Sequence, residues 1–122
     1  MNSESGMGRP HEKLDAWQEA MALVRTTYVI TQSFPRDEIY GLAAQMRRAA
    51  ISIPSNLAEG AARASRREFG QFISIATGSL SELETQFMIA VDLGYLARDH
   101  EVFPALERVA KLVAGLRRKV VA

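Results

Sequence analysis

Apolar residues recur every three or four positions along four stretches of this chain, and nowhere do they alternate with polar residues over the length of a strand. That spacing gathers them on one side of a helix, so the chain must bury four amphipathic faces against one another. The first stretch, 15–34, carries two adjacent stripes. One is Trp17, Met21, Val24, Tyr28 and Thr31; the other is Ala20, Leu23, Thr27, Ile30 and Phe34. Asp15 and Gln18 have capping-box spacing at its start, and Phe34-Pro35 ends it, because proline disfavours helical geometry in the residue before it.

The second stretch, 37–63, buries Ile39, Leu42, Met46, Ala49 or Ala50, Ile53 and Leu57. Pro54 lies inside it; having no N–H and crowding the preceding turn, it predicts a kink or short break near Ser52. Gly60 is expected to loosen the end. The third, 65–94, opens on the capping pair Ser65 and Glu68 and stops at Gly94. Its core face is Phe69, Ile73, Ala76, Leu80, Leu83, Phe87 and Ala90, with Phe72, Ile75, Met88 and Ile89 off the stripe. The fourth, 99–120, places Leu106, Val109, Val113, Leu116 and Val120 on one face, with Asp99 as a candidate cap and Pro104 in the first turn.

Four such helices with short connections predict an all-α fold, an antiparallel up-down-up-down four-helix bundle with its second helix kinked near Pro54. At 122 residues, 48% of them hydrophobic, the chain suits a single domain, placed at 13–122 behind a polar, disordered lead-in at 1–12. Helices of this length make a bundle roughly 30 Å long. The surplus apolar residues on the first and third helices have two readings, as ordinary exposed surface or as a face buried against another subunit. The second is favoured, and an oligomer is expected.

Composition removes several classes of function. With no cysteine there is no disulfide, thiolate metal site or cysteine nucleophile. No apolar run approaches the roughly 18–20 residues that span a bilayer, and residues 1–10 contain no hydrophobic signal segment, so no membrane partner and a cytoplasmic location are expected. A metal centre of the di-iron bundle type needs Glu-x-x-His motifs, and the two histidines, His11 and His100, complete none. No nucleophile elbow or phosphate-cradling glycine loop occurs; Gly41, Gly60, Gly70 and Gly78 are scattered along helices. Glu82 and Glu84 are two apart and point to different sides of a helix, which rules them out as an acid–base pair. The expectation is therefore a protein without enzymatic activity, metal or cofactor.

Two polar features remain. Fifteen Lys and Arg against fourteen Asp and Glu leave a net charge of only +1, yet the cations cluster as Arg47-Arg48, as Arg63, Arg66 and Arg67, and as Arg117-Arg118-Lys119. Each cluster reads either as solvated helix surface or as a phosphate-binding patch; for the last, attraction to a helix C-terminus is a further structural reason. Asn56 and Glu59, just past Pro54, are neighbours on a helix, and Glu59 has i,i+4 spacing to Arg63. They read as a polar network that fixes the kink or a subunit contact, or as a polar pocket for a small ligand or nucleic-acid backbone. Glu82 reads as the partner of an arginine on a neighbouring helix.

The run Ser52-Ile53-Pro54-Ser55-Asn56-Leu57-Ala58-Glu59-Gly60, followed by Arg63 and Ser65, resembles the central signature of the four-helix-bundle proteins encoded in intervening sequences of bacterial 23S ribosomal RNA genes. Gly78-Ser79-Leu80-Ser81-Glu82-Leu83-Glu84-Thr85-Gln86 resembles the same family's third-helix motif, and Leu14-Asp15-Ala16-Trp17 and Leu93-Gly94-Tyr95-Leu96 fit as well. The likeness extends over about 11–118. It implies a homopentamer around a central axis and makes Pro54, Asn56, Glu59, Gly60 and Glu82 the structural signature. The accessory variability proteins of diversity-generating retroelements are similar; they are basic, bind nucleic acid and partner a reverse transcriptase. This chain departs from them in being nearly neutral. Two functions are thus expected in competition. One is an oligomer that binds RNA or DNA through arginines repeated around a ring, as an accessory to an RNA or to a nucleic-acid-processing enzyme. The other is a scaffold that binds another protein without nucleic acid.

Overall fold

A computed structural model describes residues 9–121. Four helices account for most of them: α1 (Asp15–Gln32), α2 (Leu42–Ala61), α3 (Arg66–Asp92) and α4 (Val102–Val121). Short 3-10 turns at Pro10–Lys13 and Arg36–Glu38 precede α1 and α2, and there is no strand among the described residues. Each helix packs on the next and α4 closes back onto α1, with the α2–α3 contact the most extensive. The start of α2 meets the end of α1, where Arg47 Nε donates to Thr31 Oγ1 at 2.8 Å. The end of α3 meets the start of α4, where the Phe87 and Phe103 rings lie edge to face at 6.3 Å. Arg108 of α4 pairs with Glu19 of α1 at 2.9 Å.

The core draws on all four helices: Ala20 and Leu23 from α1, Met46, Ile53 and Leu57 from α2, Ile73, Leu83 and Phe87 from α3, and Leu106, Val109 and Val113 from α4. Of the two stripes on α1, the second is the buried one. Thr27 within it and Thr31 beside it can be buried because their hydroxyls donate to the carbonyls of Leu23 and Thr27, at 2.8 and 2.7 Å. Trp17, Met21 and Val24 lie half-buried at its edge, and Tyr28 reaches the surface.

Several helix ends differ from the sequence expectation. Asp15 does not cap α1: the cap position is Leu14, and Gln18 Nε2 donates to the Glu12 carbonyl at 2.9 Å, tying α1 to the preceding 3-10 turn. The lead-in expected over 1–12 lies outside the described residues up to residue 8, and its last part joins this turn, with His11 edge-on to Trp17 at 5.0 Å. α2 begins at Leu42 rather than Asp37, so Ile39 falls in the connection and is exposed rather than core. α2 is continuous through Pro54, without a break at Ser52. Gly60 does not loosen the end of α2 but is buried there: a Cβ on it would lie 2.7 Å from Phe72 Cβ and 2.9 Å from Phe69 Cδ1. At the start of α4 the Val102 N–H donates to His100 Nδ1 at 3.0 Å, taking the part expected of Asp99. Pro104 fits inside the first turn, where its missing N–H has no partner to lose.

α3 begins and ends as its residues predict. Ser65 Oγ accepts from the Glu68 N–H at 3.1 Å, and Ser65 Oγ donates to Glu68 Oε1 at 3.2 Å. At the other end Gly94 has φ of 81°, a conformation natural to glycine, so that the Gly94 and Tyr95 N–H groups close onto the Val91 and Ala90 carbonyls. This aims Tyr95 at Glu38. The Tyr95 hydroxyl donates to Glu38 Oε2 at 2.9 Å while Glu38 Oε1 accepts from the Leu42 N–H at 3.1 Å, so one carboxylate caps α2 and fastens the α3–α4 connection.

These ends can be tested by substitution. Gly60→Ala is expected to lose about 1–2 kcal/mol in urea unfolding, because overpacking there exceeds the propensity gained, whereas Gly78→Ala, whose Cβ meets nothing within 4 Å, should gain up to about 1 kcal/mol. The bond to Glu38, with burial and the Glu38 and Asp37 charges, raises the Tyr95 pKa above its usual 10.0. A raised tyrosine pKa stabilises the fold fully below the unfolded value, and that contribution is lost as pH climbs through the folded one. Tyr95→Phe should accordingly lower the melting temperature at neutral pH and flatten the fall in stability above about pH 10.

Candidate functional site

The two stretches singled out by their motifs come together along the α2–α3 seam. Ser52 of α2 and Ser79 of α3 share a hydrogen bond at 2.8 Å, and Asn56 Nδ2 donates to both the carbonyl and the Oγ of Ser52, at 2.8 and 2.9 Å. The Ser52 hydroxyl therefore accepts from Asn56 while its own proton is free for Ser79. Pro54 leaves the Ala50 carbonyl without its helical donor, but Asn56 reaches Ser52 instead. The network consequently joins two helices rather than repairing the proline turn, and Pro54 itself lines a groove with Trp17 and Met21 on the α1 side.

Above this network Gln45, Arg48, Ser52, Ser79 and Glu82 line a polar cleft of about 290 Å³. Glu82 accepts from Gln86 Nε2 at 3.3 Å and forms no ion pair with an arginine among the described residues, although Arg48 lines the same cleft. Gln86 is only 5% exposed and its Oε1 has no hydrogen-bond partner. Nothing in the sequence singled out Gln86 beyond its place in the second motif. Below the network Glu59 and Arg63 pair at 2.9 Å, with the Arg63 guanidinium 4.9 Å from the Phe72 ring centroid. That arginine is committed to its own neighbours.

The remaining cations divide by position. Arg47 is held on α1 by Thr31, with its guanidinium 4.5 Å from the Tyr28 ring centroid. Arg66 Nη1 donates to the Lys119 carbonyl at 3.2 Å, meeting one of the carbonyls that the end of α4 leaves without a helical donor. This contact joins the start of α3 to the end of α4, although the two are far apart in sequence. Arg66, Arg67 and Arg117 then line one open cleft of about 520 Å³ with Gly70 and Ser74. Arg118 and Lys119 line another of about 520 Å³ with Lys13, Lys111 and Asp15. One end of the bundle thus carries a cationic rim of Arg66, Arg67, Arg117, Arg118, Lys119, Lys13 and Lys111, none in an ion pair among the described residues. Arg47, Arg48 and Arg63 lie outside it.

Among the described residues no three His, Asp or Glu side chains gather closely enough to hold a metal ion. Glu82 lines the α2–α3 cleft and Glu84 the α3–α4 side, so the two carboxylates face different grooves. Among the described residues no helix is long and apolar enough to cross a membrane.

The seam makes a direct prediction. Ser52→Ala strands Ser79 and one arm of Asn56, and should cost about 1 kcal/mol in chemical denaturation. Asn56→Ala with Glu59→Ala should lower stability or alter assembly by light scattering; a double variant unchanged in both would contradict a structural role for the seam.

No curated protein matches the chain. A family model described as 23S rRNA-intervening sequence protein matches residues 12–115, which takes in α1, α2, α3 and most of α4 together with both motifs of the α2–α3 seam. The chain belongs to the 23S rRNA-intervening sequence protein family.

Proposed function

We propose that this protein is a non-enzymatic, cytoplasmic homo-oligomer that binds the phosphate backbone of RNA or DNA through the cationic end of its bundle. The observation that carries this reading is the convergence of Arg66, Arg67 and Arg117, with Arg118 and Lys119 beside them, from the start of α3 and the end of α4. Guanidinium groups without acidic partners are suited to phosphate, which they bind bidentately. The up-down-up-down antiparallel order puts these two helix ends together, and the end-to-end pairs Gly60 with Phe69, Phe87 with Phe103 and Arg66 with Lys119 support it. A kink at Pro54 belongs to the same reading.

Repetition does the rest. In a ring such as the homopentamer that the resemblance implies, each cationic end recurs around one face, and several weak contacts to a single nucleic acid become one strong one without a high net charge per chain. The α1–α2 groove, where Trp17, Met21, Val24 and the 42%-exposed Ile51 lie together, offers an apolar face for a neighbouring subunit. Contacts to phosphate carry no base information, so binding should be indifferent to sequence. A second reading, a scaffold for another protein, is favoured by Ile75 and Ile89, which are 51% and 42% exposed on α3.

Titration of structured RNA and duplex DNA across a salt series tests the first reading. Affinity should fall linearly on a log–log plot, with a slope of about 0.9 for each phosphate neutralised on duplex DNA. The double reversal Arg66→Glu with Arg67→Glu should weaken binding by at least about tenfold at low salt and flatten that slope. Absence of binding at low salt would turn the assignment to the protein scaffold.

A further inference from the structure

The α3–α4 face holds a different kind of surface from the cationic end. Leu80 and Val113, core residues 3% and 1% exposed, form the floor of a cleft of about 320 Å³, with Ala110, Ala114 and Val121 as its walls. The cleft exists because the α4 wall positions are alanines; a longer side chain at either would fill it. Its size lies at the lower end of the range for small-molecule sites, which are mostly apolar with a few placed polar groups. Thr77 adds little polarity, since its hydroxyl already donates to the Ile73 carbonyl at 2.9 Å. Charge enters at the ends. Arg117 and Arg118 line the cleft from the last turns of α4, and Glu84 lines it from α3, about two turns beyond Thr77. Arg118 lies back along α4, its Nη2 3.6 Å from where a Cβ on Gly115 would be. Neither arginine is in an ion pair among the described residues.

We propose that this cleft binds a free medium-chain fatty acid, with the acyl chain on Leu80, Val113 and the alanines and the carboxylate on Arg117 and Arg118. An apolar trough ending in two unpaired guanidiniums complements an amphipathic anion, because the tail leaves water while the head gains charge-assisted hydrogen bonds. The seven-residue span from Thr77 to Glu84 gives a trough about 10 Å long, suited to a chain of medium length. Glu84 repels a second anionic group at the far end, which selects monocarboxylates over dicarboxylates. The site shares Arg117 and Arg118 with the cationic end but does not require that end to bind nucleic acid, and it uses no residue of the α2–α3 seam.

Calorimetric titration of the full chain with sodium decanoate, below its micellar concentration and without nucleic acid, tests the site. Saturable binding of one decanoate per chain is expected. Octanoate, two methylenes shorter, should bind roughly tenfold more weakly. Decylammonium and the dicarboxylate sebacate should bind far more weakly than decanoate. Ala114→Leu and, independently, Ser81→Leu fill the trough from exposed positions, and each should abolish binding while the helical circular-dichroism signal and melting curve are kept. Arg117→Gln with Arg118→Gln should remove the preference for decanoate over decanol. The proposal is overturned if decanoate does not saturate, if decylammonium binds as well, or if both leucine variants bind like the parent. Binding to phosphatidylglycerol vesicles without binding to free decanoate would also overturn it, since the surface would then be reading a membrane.

Discussion

The approach of α2 to α3 at Gly60 is the constraint on which the rest of the bundle depends. A hydrogen in place of a side chain lets Phe69 and Phe72 close over the end of α2, and the short turn at residues 62–65 then sends α3 back along it. Small polar residues continue the seam: Ser52 and Ser79 lie close enough for their hydroxyls to bond, which a pair of leucines at those positions would prevent. A polar seam between helices is stable only if its groups are paired, because a stranded hydroxyl or amide in a partly dry contact costs about 1–3 kcal/mol. Asn56 supplies that pairing from within α2. At Gln86 the pairing is incomplete, and its Oε1 is buried without a partner.

The opposite end of the bundle is held by electrostatics acting through backbone. Gly94 ends α3 in a left-handed turn, the turn sets Tyr95, and Tyr95 fixes a carboxylate on the first N–H of α2. Each step removes a backbone or side-chain group that would otherwise lack a partner, so the connections are as specified as the helices. The Phe34 ring, 5.1 Å from that of Tyr95, adds an apolar cover to the same corner. With both ends anchored, α4 returns to the start of α3, and its last turns meet Arg66. The cationic end is thus a consequence of chain path rather than of composition: a protein of net charge +1 gathers Arg66, Arg67, Arg117, Arg118 and Lys119 at one pole, where Asp15 is the one acid lining the same clefts. That distribution is what a phosphate-binding surface requires, since the field close to a cluster exceeds anything the net charge suggests.

Much of the fold was legible in the residues. The 3.6 period in four stretches dictated four helices, and the spacings on α2, α3 and α4 located Met46, Ile53, Leu57, Ile73, Leu83, Phe87, Leu106, Val109 and Val113 in the core, because burial of an apolar stripe overrides any local detail. Ser65 with Glu68 and Gly94 marked both ends of α3, where capping chemistry is local and needs no partner element. The two longer motifs behind the family resemblance meet in one seam through Ser52, Asn56 and Ser79. α1 does begin at Asp15, but its cap was not legible, since Gln18 reaches back to the Glu12 carbonyl; nor was the start of α2, which lies at Leu42 rather than Asp37, with Glu38 outside the helix accepting from its first N–H.

Sequence alone therefore determined the helical class, the identity of most core residues and the polarity of each surface stripe, since all of these arise from side-chain periodicity and from interactions within a few residues. Only the tertiary structure decided that Gly60 is a point of close contact rather than of looseness, that Ser52 bonds across to Ser79 on α3, and that Arg66, Arg67 and Arg117 share one cleft while Arg47, Arg48 and Arg63 stand apart. The physical reason is the same in each case: the partner of the residue lies on another helix, and helical spacing fixes which face a side chain takes but not which neighbour that face will meet.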